Sequence, residues 1–242
     1  MLLLYPDDLQ GDHVALHDHR AEHVLRVLGA VPGTILRAGL VDGPVGTMEI
    51  SAVEDHSLSG RWTPTGPGPR LPALDLLLAL PRPKVMKRLW AQLAALGVRR
   101  IVLTNAEGVE RNYFDTHVLE PDYLRKALEE GLQQAGHTRI PQVQVTRRFK
   151  PFLEDEADGV FPQGLRIVAH PSERCDLPEH IRAKQAQEVV LAVGPETGWT
   201  AFELDLLSQR GFQKAGLGPL TLRSDTACVA LMACSIGSMS RS

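Results

Sequence analysis

Two stretches late in the chain hold the residue types that could handle a small ligand. The first is an apolar run, Val189-Val190-Leu191-Ala192-Val193. It leads into Gly194-Pro195-Glu196-Thr197-Gly198, then Trp199, then Thr200-Ala201-Phe202-Glu203. The run has the length and β-branched content of a buried strand. The glycines and proline end it in a tight turn. Thr200 and Glu203 have capping-box spacing, which predicts a helix from that point. Strand, glycine loop and helix N-terminus in that order aim backbone N–H groups at a ligand. The second stretch runs from Gly216-Leu217-Gly218 through Leu222-Arg223-Ser224-Asp225-Thr226. It ends in the Ala/Cys-rich segment 227–236, the predicted last helix. Spacing alone leaves two ordinary strand–helix turns as an equal alternative.

Other chemistries lack their signatures. Gly216-x-Gly218 has Thr221 where a dinucleotide fingerprint needs its third glycine, so a Rossmann-type enzyme is disfavoured. There is no Walker loop, no His-Glu-x-x-His and no paired Cys-x-x-Cys, so no metal is expected. Between Arg82 and Arg100 stand six basic residues and no acidic one. Arg82, Lys84, Lys87 and Arg88 lead that run. A solvated helix face and a phosphate-binding patch both fit it.

The two loops resemble those of the RsmE family of SPOUT methyltransferases, which methylate N3 of a uridine in 16S ribosomal RNA. That family carries Gly-Pro-Glu-Gly-Gly and, later, Leu-Gly-x-x-x-Leu-Arg-x-Glu-Thr. Here the loops read Gly194-Pro195-Glu196-Thr197-Gly198 and Leu217-Gly218-Pro219-Leu220-Thr221-Leu222-Arg223-Ser224-Asp225-Thr226. Thr197 and Asp225 are the departures. The resemblance implies an S-adenosylmethionine cofactor held by three loops, at His170-Pro171, at Gly194, Pro195, Glu196 and Gly198, and at Leu217, Gly218, Leu222 and Thr226. It implies a trefoil-knotted α/β domain and a homodimer paired through the last helix. Arg223 is the candidate for stabilising negative charge on the uracil oxygens. Asp225 is expected to orient Arg223, to accept a proton, or to cap the last helix. Ribosomal RNA is the expected partner, with no membrane and no metal. Two alternatives stay open: a catalytically silent RNA-binding protein of the same fold, and a methyltransferase with another target such as a tRNA ribose.

The elements that must position these loops fall into two parts. Residues 1–62 read as short strands, at Leu2–Tyr5, Thr34–Leu40, Gly46–Val53 and Ser57–Trp62, with one helix from His19 to Leu28. A small barrel is expected, and the resemblance makes it a PUA-like RNA-binding one. His23 and Arg26 are RNA-contact candidates there, with an exposed helix face the alternative reading. Gly29 stands where the family has an arginine. Residues 63–72 hold Pro64, Pro67, Pro69 and Pro72 with Gly66 and Gly68, and read as a linker without regular structure. The expected domains are therefore 1–70 and 71–242. From Ala73 onward strands alternate with helices, which predicts an α/β layer with a largely parallel sheet. Arg139, in a polar loop that is similar to a family arginine region, is the last RNA-contact candidate.

The 242 residues carry a net charge of -3, so RNA attraction must come from local patches. Residues 1–70 hold five Lys/Arg against nine Asp/Glu. Cys175, Cys228 and Cys234 show no metal spacing and fit a reducing, cytoplasmic setting. The apolar start meets Pro6-Asp7-Asp8 too soon for a signal peptide, and no apolar run reaches membrane-span length.

Overall fold

The computed structural model describes residues 1–171, 176–218 and 222–239. Cys175 and residues 219–221 of the second glycine loop lie outside the described residues. The chain divides into two units, one of Met1–Arg70 with Glu129–Ile140, the other of Leu71–Leu128 with Pro141–Ser242.

The first unit is a curled six-stranded sheet. Its strands are β1 (Leu2–Leu4), β2 (Leu9–Gln10), β3 (His13–Leu16), β4 (Ile35–Leu40), β5 (Val45–Val53) and β6 (Leu58–Gly66), in the order β1-β4-β5-β6-β3-β2. Only β1 and β4 pair in parallel among these neighbours. Helix α1 (His19–Arg26) packs Ala21 and Val24 onto the same core as Val14, Leu16, Met48, Ile50, Leu58 and Trp62. Met48 and Ile50 point inward while Glu49 between them is exposed, the period-two pattern of a half-buried strand.

Two elements differ from expectation. The β2–β3 hairpin is too short and polar to stand out in the sequence. The expected linker 63–72 is strand as far as Gly66. Proline is tolerated at position 64 because β3 pairs with β6 only up to Arg61, leaving one side of β6 open beyond that point. The segment after residue 128 joins this unit through polar contacts. Arg37 donates to the Gly136 carbonyl at 3.0 Å, and the Thr138 hydroxyl donates to the Gly43 carbonyl at 2.7 Å.

Arg20 is buried beneath β1. It pairs with Asp8 at 2.6 Å and Asp18 at 2.8 Å and lies over the Tyr5 ring. Burial opposes its charge, but the hydrogen bonds to Asp8 and Asp18 outweigh it and push the guanidinium pKa up.

The second unit is a mixed α/β layer around a parallel sheet. Its strands are β7 (Ala73–Ala79), β8 (Arg100–Thr104), β9 (Gln142–Thr146), β10 (Leu165–Ala169), β11 (Glu188–Val193) and β12 (Gln213–Ala215). The order is β12-β10-β11-β7-β8-β9, and every neighbouring pair is parallel. The helices are α2 (Pro83–Ala95), the first half of α3 (Pro121–Ala135), the short α4 (Phe149–Pro151) and α5 (Ala157–Val160), α6 (Leu177–Ala183), α7 (Ala201–Gln209) and α8 (Ser224–Ser238). A π-helical turn, Phe152–Glu156, joins α4 to α5. Strands β7 and β11 are apolar almost end to end because helices cover the sheet. Asp75 on β7 is the exception. It is fully buried and paired with Arg99 at 2.9 Å and Arg100 at 3.3 Å, at the amino ends of the strands.

From β7 the chain builds outward to β9, then returns to insert β11 beside β7. The order in which the chain adds strands therefore reverses between β7 and β11, and ligands bind beyond the carboxyl ends of strands at such a point. Helix α6, capped by Asp176, and strand β12 are additions that the sequence did not reveal. Helix α8 starts at Ser224, three residues before the Ala/Cys-rich segment. Asp225 sits in its first turn, where the helix dipole favours negative charge.

Candidate functional site

A cleft of about 700 Å³ opens at the carboxyl ends of the parallel strands. Four strand ends supply its described walls. Arg82, Val85 and Arg88 follow β7, and Ala169, His170 and Pro171 close β10. Val193 to Trp199 follow β11, and Gly216 to Gly218 follow β12. Leu222 to Asp225, Ala227 and Leu231 bring in the start of α8.

Local chemistry fixes each wall. The His170 amide donates to the Ala215 carbonyl at 3.0 Å, and the Leu177 amide to the Gly216 carbonyl at 2.9 Å, so the β10 and β12 loops share hydrogen bonds. The β11 loop turns through a bond from the Gly198 amide to the Pro195 carbonyl at 2.8 Å. Gly198 has φ +79°, a conformation that side chains disfavour. Trp199 folds back under this loop. Its ring stacks on Phe149 at 5.2 Å and 23° and lies close enough to Gly194 that a Cβ there would meet it at 3.1 Å. The capping box expected from the sequence is present. Glu203 accepts from the Thr200 amide at 2.8 Å, and its own amide donates to the Thr200 hydroxyl at 3.3 Å.

Of the expected cofactor-contact residues, His170, Pro171, Gly194, Pro195, Glu196, Gly198, Leu217, Gly218 and Leu222 all line the cleft. Thr226 does not. Ser224, Ala227 and Leu231 share the inward face of α8, and Thr226 falls off it into solvent. Its amide instead donates to the Asp225 carboxylate at 2.9 Å. Thr197, a departure from the family pattern, lines the cleft and carries its hydroxyl towards Gly108, so close that a Cβ at 108 would overlap it.

Arg223 and Asp225 both line the cleft, but Asp225 does not pair with Arg223. It pairs with Arg88 of α2 at 2.5 Å. The hydrogen bond from Arg88, with that from the Thr226 amide, holds the carboxyl below its usual range. A carboxylate so committed is a poor proton acceptor near neutrality. Nor is it the helix cap, since that position belongs to Arg223. Arg223 and Arg82 stand exposed at the cleft, and neither side chain makes an ion pair or hydrogen bond among the described residues. Tyr113, near Arg82 and Glu196, donates to Glu110 at 2.9 Å. Desolvation and then that bond raise its pKa.

The RNA-contact candidates lie in three places. Arg82 and Arg88 line the cleft, while Lys84 and Lys87 are exposed on α2 away from it. His23 and Arg26 are exposed on α1 of the first unit. Arg139 is half-buried in the segment that joins that unit. Sequence reasoning missed the Arg88–Asp225 pair and the approach of Gly108 to Pro195 and Thr197, which have no local motif.

The described walls suit a compact, partly polar organic ligand: the volume is of the usual ligand size, and glycines let it reach main-chain groups. Among the described residues no group of side chains could hold a metal ion. A parallel α/β sheet with glycine loops at the carboxyl ends of its strands defines a ligand-binding domain of the enzyme type. The family model for the RNA methyltransferase domain matches residues 69–236. Two relatives cover nearly the same length. One is a ribosomal RNA small subunit methyltransferase E of Treponema pallidum, 29% identical over 91% of this chain and 83% of its own. The other is methyltransferase E 1 of Borreliella burgdorferi, 27% identical over 95% and 94%. A crystal structure of methyltransferase E from Neisseria gonorrhoeae, bound to S-adenosyl methionine, superposes with TM-score 0.76 at 21% identity, covering 96% of this chain and 95% of that one. The chain belongs to the RNA methyltransferase family, in its RsmE branch.

Proposed function

We propose that the protein is an S-adenosylmethionine-dependent methyltransferase that acts on N3 of a uridine in 16S ribosomal RNA. The observation that carries this reading is the cleft itself. Its glycine loops after β11 and β12, with His170-Pro171 after β10, form one site beside the exposed Arg82 and Arg223 guanidiniums, which make no ion pair among the described residues. S-adenosylmethionine would supply an electrophilic methyl group on a sulfonium. Main-chain groups of Gly194, Gly198 and Gly218 would bind it, with Leu217 and Leu222 as apolar walls.

The remaining chemistry belongs to the chain. Uridine N3 is an imide nitrogen and must give its proton to solvent to become a good nucleophile; taking the methyl group would then break the methyl–sulfur bond and leave a neutral thioether. Arg223 stabilises the negative charge that spreads onto the uracil oxygens. Arg88 and Asp225 neutralise each other and hold α2 against the start of α8. N3 lies on the pairing edge, so the target uridine must be unpaired or splayed out. Arg82, Lys84, Lys87 and Arg88, with His23, Arg26 and Arg139, are the proposed RNA contacts.

The finer architecture belongs to the same proposal: a PUA-like domain over residues 1–70, a trefoil-knotted SPOUT domain over 71–242, a homodimer paired through α8, and a cytoplasmic setting. Among the described residues no helix is long and apolar enough to cross a membrane. Half-buried Val229, Ala230, Cys234 and Ile236 on α8, with exposed Ala233, support the dimer.

Two measurements test the function. Calorimetry with S-adenosylmethionine should show micromolar binding. Nucleoside mapping of 16S rRNA from a strain lacking the gene should show one N3-methyluridine lost. Absence of binding would favour the silent RNA-binding protein, and a loss in tRNA would favour the other target.

A further inference from the structure

We infer that Glu203 is a positioning residue for the cofactor wall, acting through the turn 106–109 after β8. The inference rests on the cofactor reading above and adds residues that no loop motif contains.

Glu203 is 5% exposed, in the first turn of α7. One carboxylate oxygen closes the capping box with Thr200, accepting from its amide at 2.8 Å and its hydroxyl at 3.0 Å. The other accepts from the amide of Glu107, 96 residues away, at 2.8 Å. A cap alone needs only the first oxygen. The second spans from the helix to a different strand end and carries the charge-assisted strength of a carboxylate acceptor.

The turn it grips is closed by the Val109 amide on the Ala106 carbonyl at 3.0 Å. Glu107 and Gly108 are its central residues. Gly108 lies against the cleft loop: a Cβ there would stand 3.2 Å from Pro195 Cγ and would overlap the Thr197 hydroxyl. The turn is thus a backstop for Pro195 and Thr197, and both of these line the cleft. Glu203 holds the backstop in place.

The turn also supplies a test. Glu107 is the first central residue, a position where proline is favoured. Glu107→Pro removes the N–H that Glu203 accepts and suits the turn, but its ring Cδ takes the place of that N–H, so the carboxylate must shift aside. The expected result is a KM for S-adenosylmethionine raised roughly three- to tenfold, the loss expected from one charge-assisted hydrogen bond transmitted in part. At saturating cofactor kcat should stay within about twofold, while the melting temperature should fall, since proline destabilises where the replaced N–H was hydrogen-bonded. Glu203→Gln, which keeps one acceptor oxygen for two amides, should fall between wild type and Glu203→Ala in KM. A merely structural Glu203 predicts the opposite pattern: Glu107→Pro with wild-type KM, and Glu203→Ala with a lower melting temperature but unchanged KM. Either result overturns the inference alone. Wild-type protein that binds no S-adenosylmethionine overturns the cofactor reading and the inference with it.

Discussion

Lys84, unlike Lys87 one turn further on, is placed where it costs the fold something. Lys84 is in the first turn of α2, just after Pro83, and that turn holds no acidic residue. The amino end of a helix carries partial positive charge, so a cation there is unfavourable by a few tenths of a kcal/mol, up to about 1. Both side chains are exposed and make no ion pair among the described residues. If they hold RNA phosphates, the double variant Lys84→Ala/Lys87→Ala should separate binding from stability. Each phosphate contact on a single strand contributes about 0.7 to the slope of log affinity against log salt, so the pair should remove about 1.4. Over a fourfold rise in salt, wild type should lose about sevenfold more affinity than the variant. Fluorescence anisotropy with a labelled 16S fragment at several salt concentrations reads this slope. Thermal melting should show equal or greater stability, because Lys84 no longer opposes the dipole and alanine is the better helix former. Affinity for S-adenosylmethionine should not change. An unchanged salt slope would mean that these lysines are a solvated face. A destabilised variant would mean that their role is structural.

Arg223→Ala should lower methyl transfer by about 100-fold or more, the usual effect of removing a donor to developing charge, while calorimetry finds S-adenosylmethionine binding intact. Near wild-type turnover would refute the assignment. Asp225 should show its effect through Arg88. Its pKa is lowered in the folded protein, so its stabilising contribution is complete above the ordinary carboxylate range near 4 and is lost only as pH falls through the lowered value. The pH–rate profiles of wild type and Asp225→Asn should therefore share one shape between about pH 5 and 8, with the variant lower throughout. An acid limb in that window that vanishes in the variant would make Asp225 the proton acceptor. Ala230→Arg, on α8, should yield a monomer with little activity. Light scattering that finds the native protein monomeric at micromolar concentration would refute the dimer.

The sequence by itself determined the parts whose physics is local. The apolar run of β11 was legible because buried parallel strands need continuous hydrophobicity. The start of α7 was legible because Thr200 and Glu203 satisfy amides within one turn. The two glycine loops were legible as motifs, and they do line one cleft. Short polar elements were not legible. The β2–β3 hairpin, α6 and β12 carry too little periodicity to stand above their loops. Residues 63–66 misled because proline looks like a linker until an open strand side makes room for it. Only the tertiary structure decided the pairings between distant segments. It gave Asp225 to Arg88 rather than Arg223, turned Thr197 towards Gly108, and joined Glu203 to Glu107. Each of these links residues more than 80 positions apart, and sequence spacing holds no record of which strand ends the parallel sheet sets side by side.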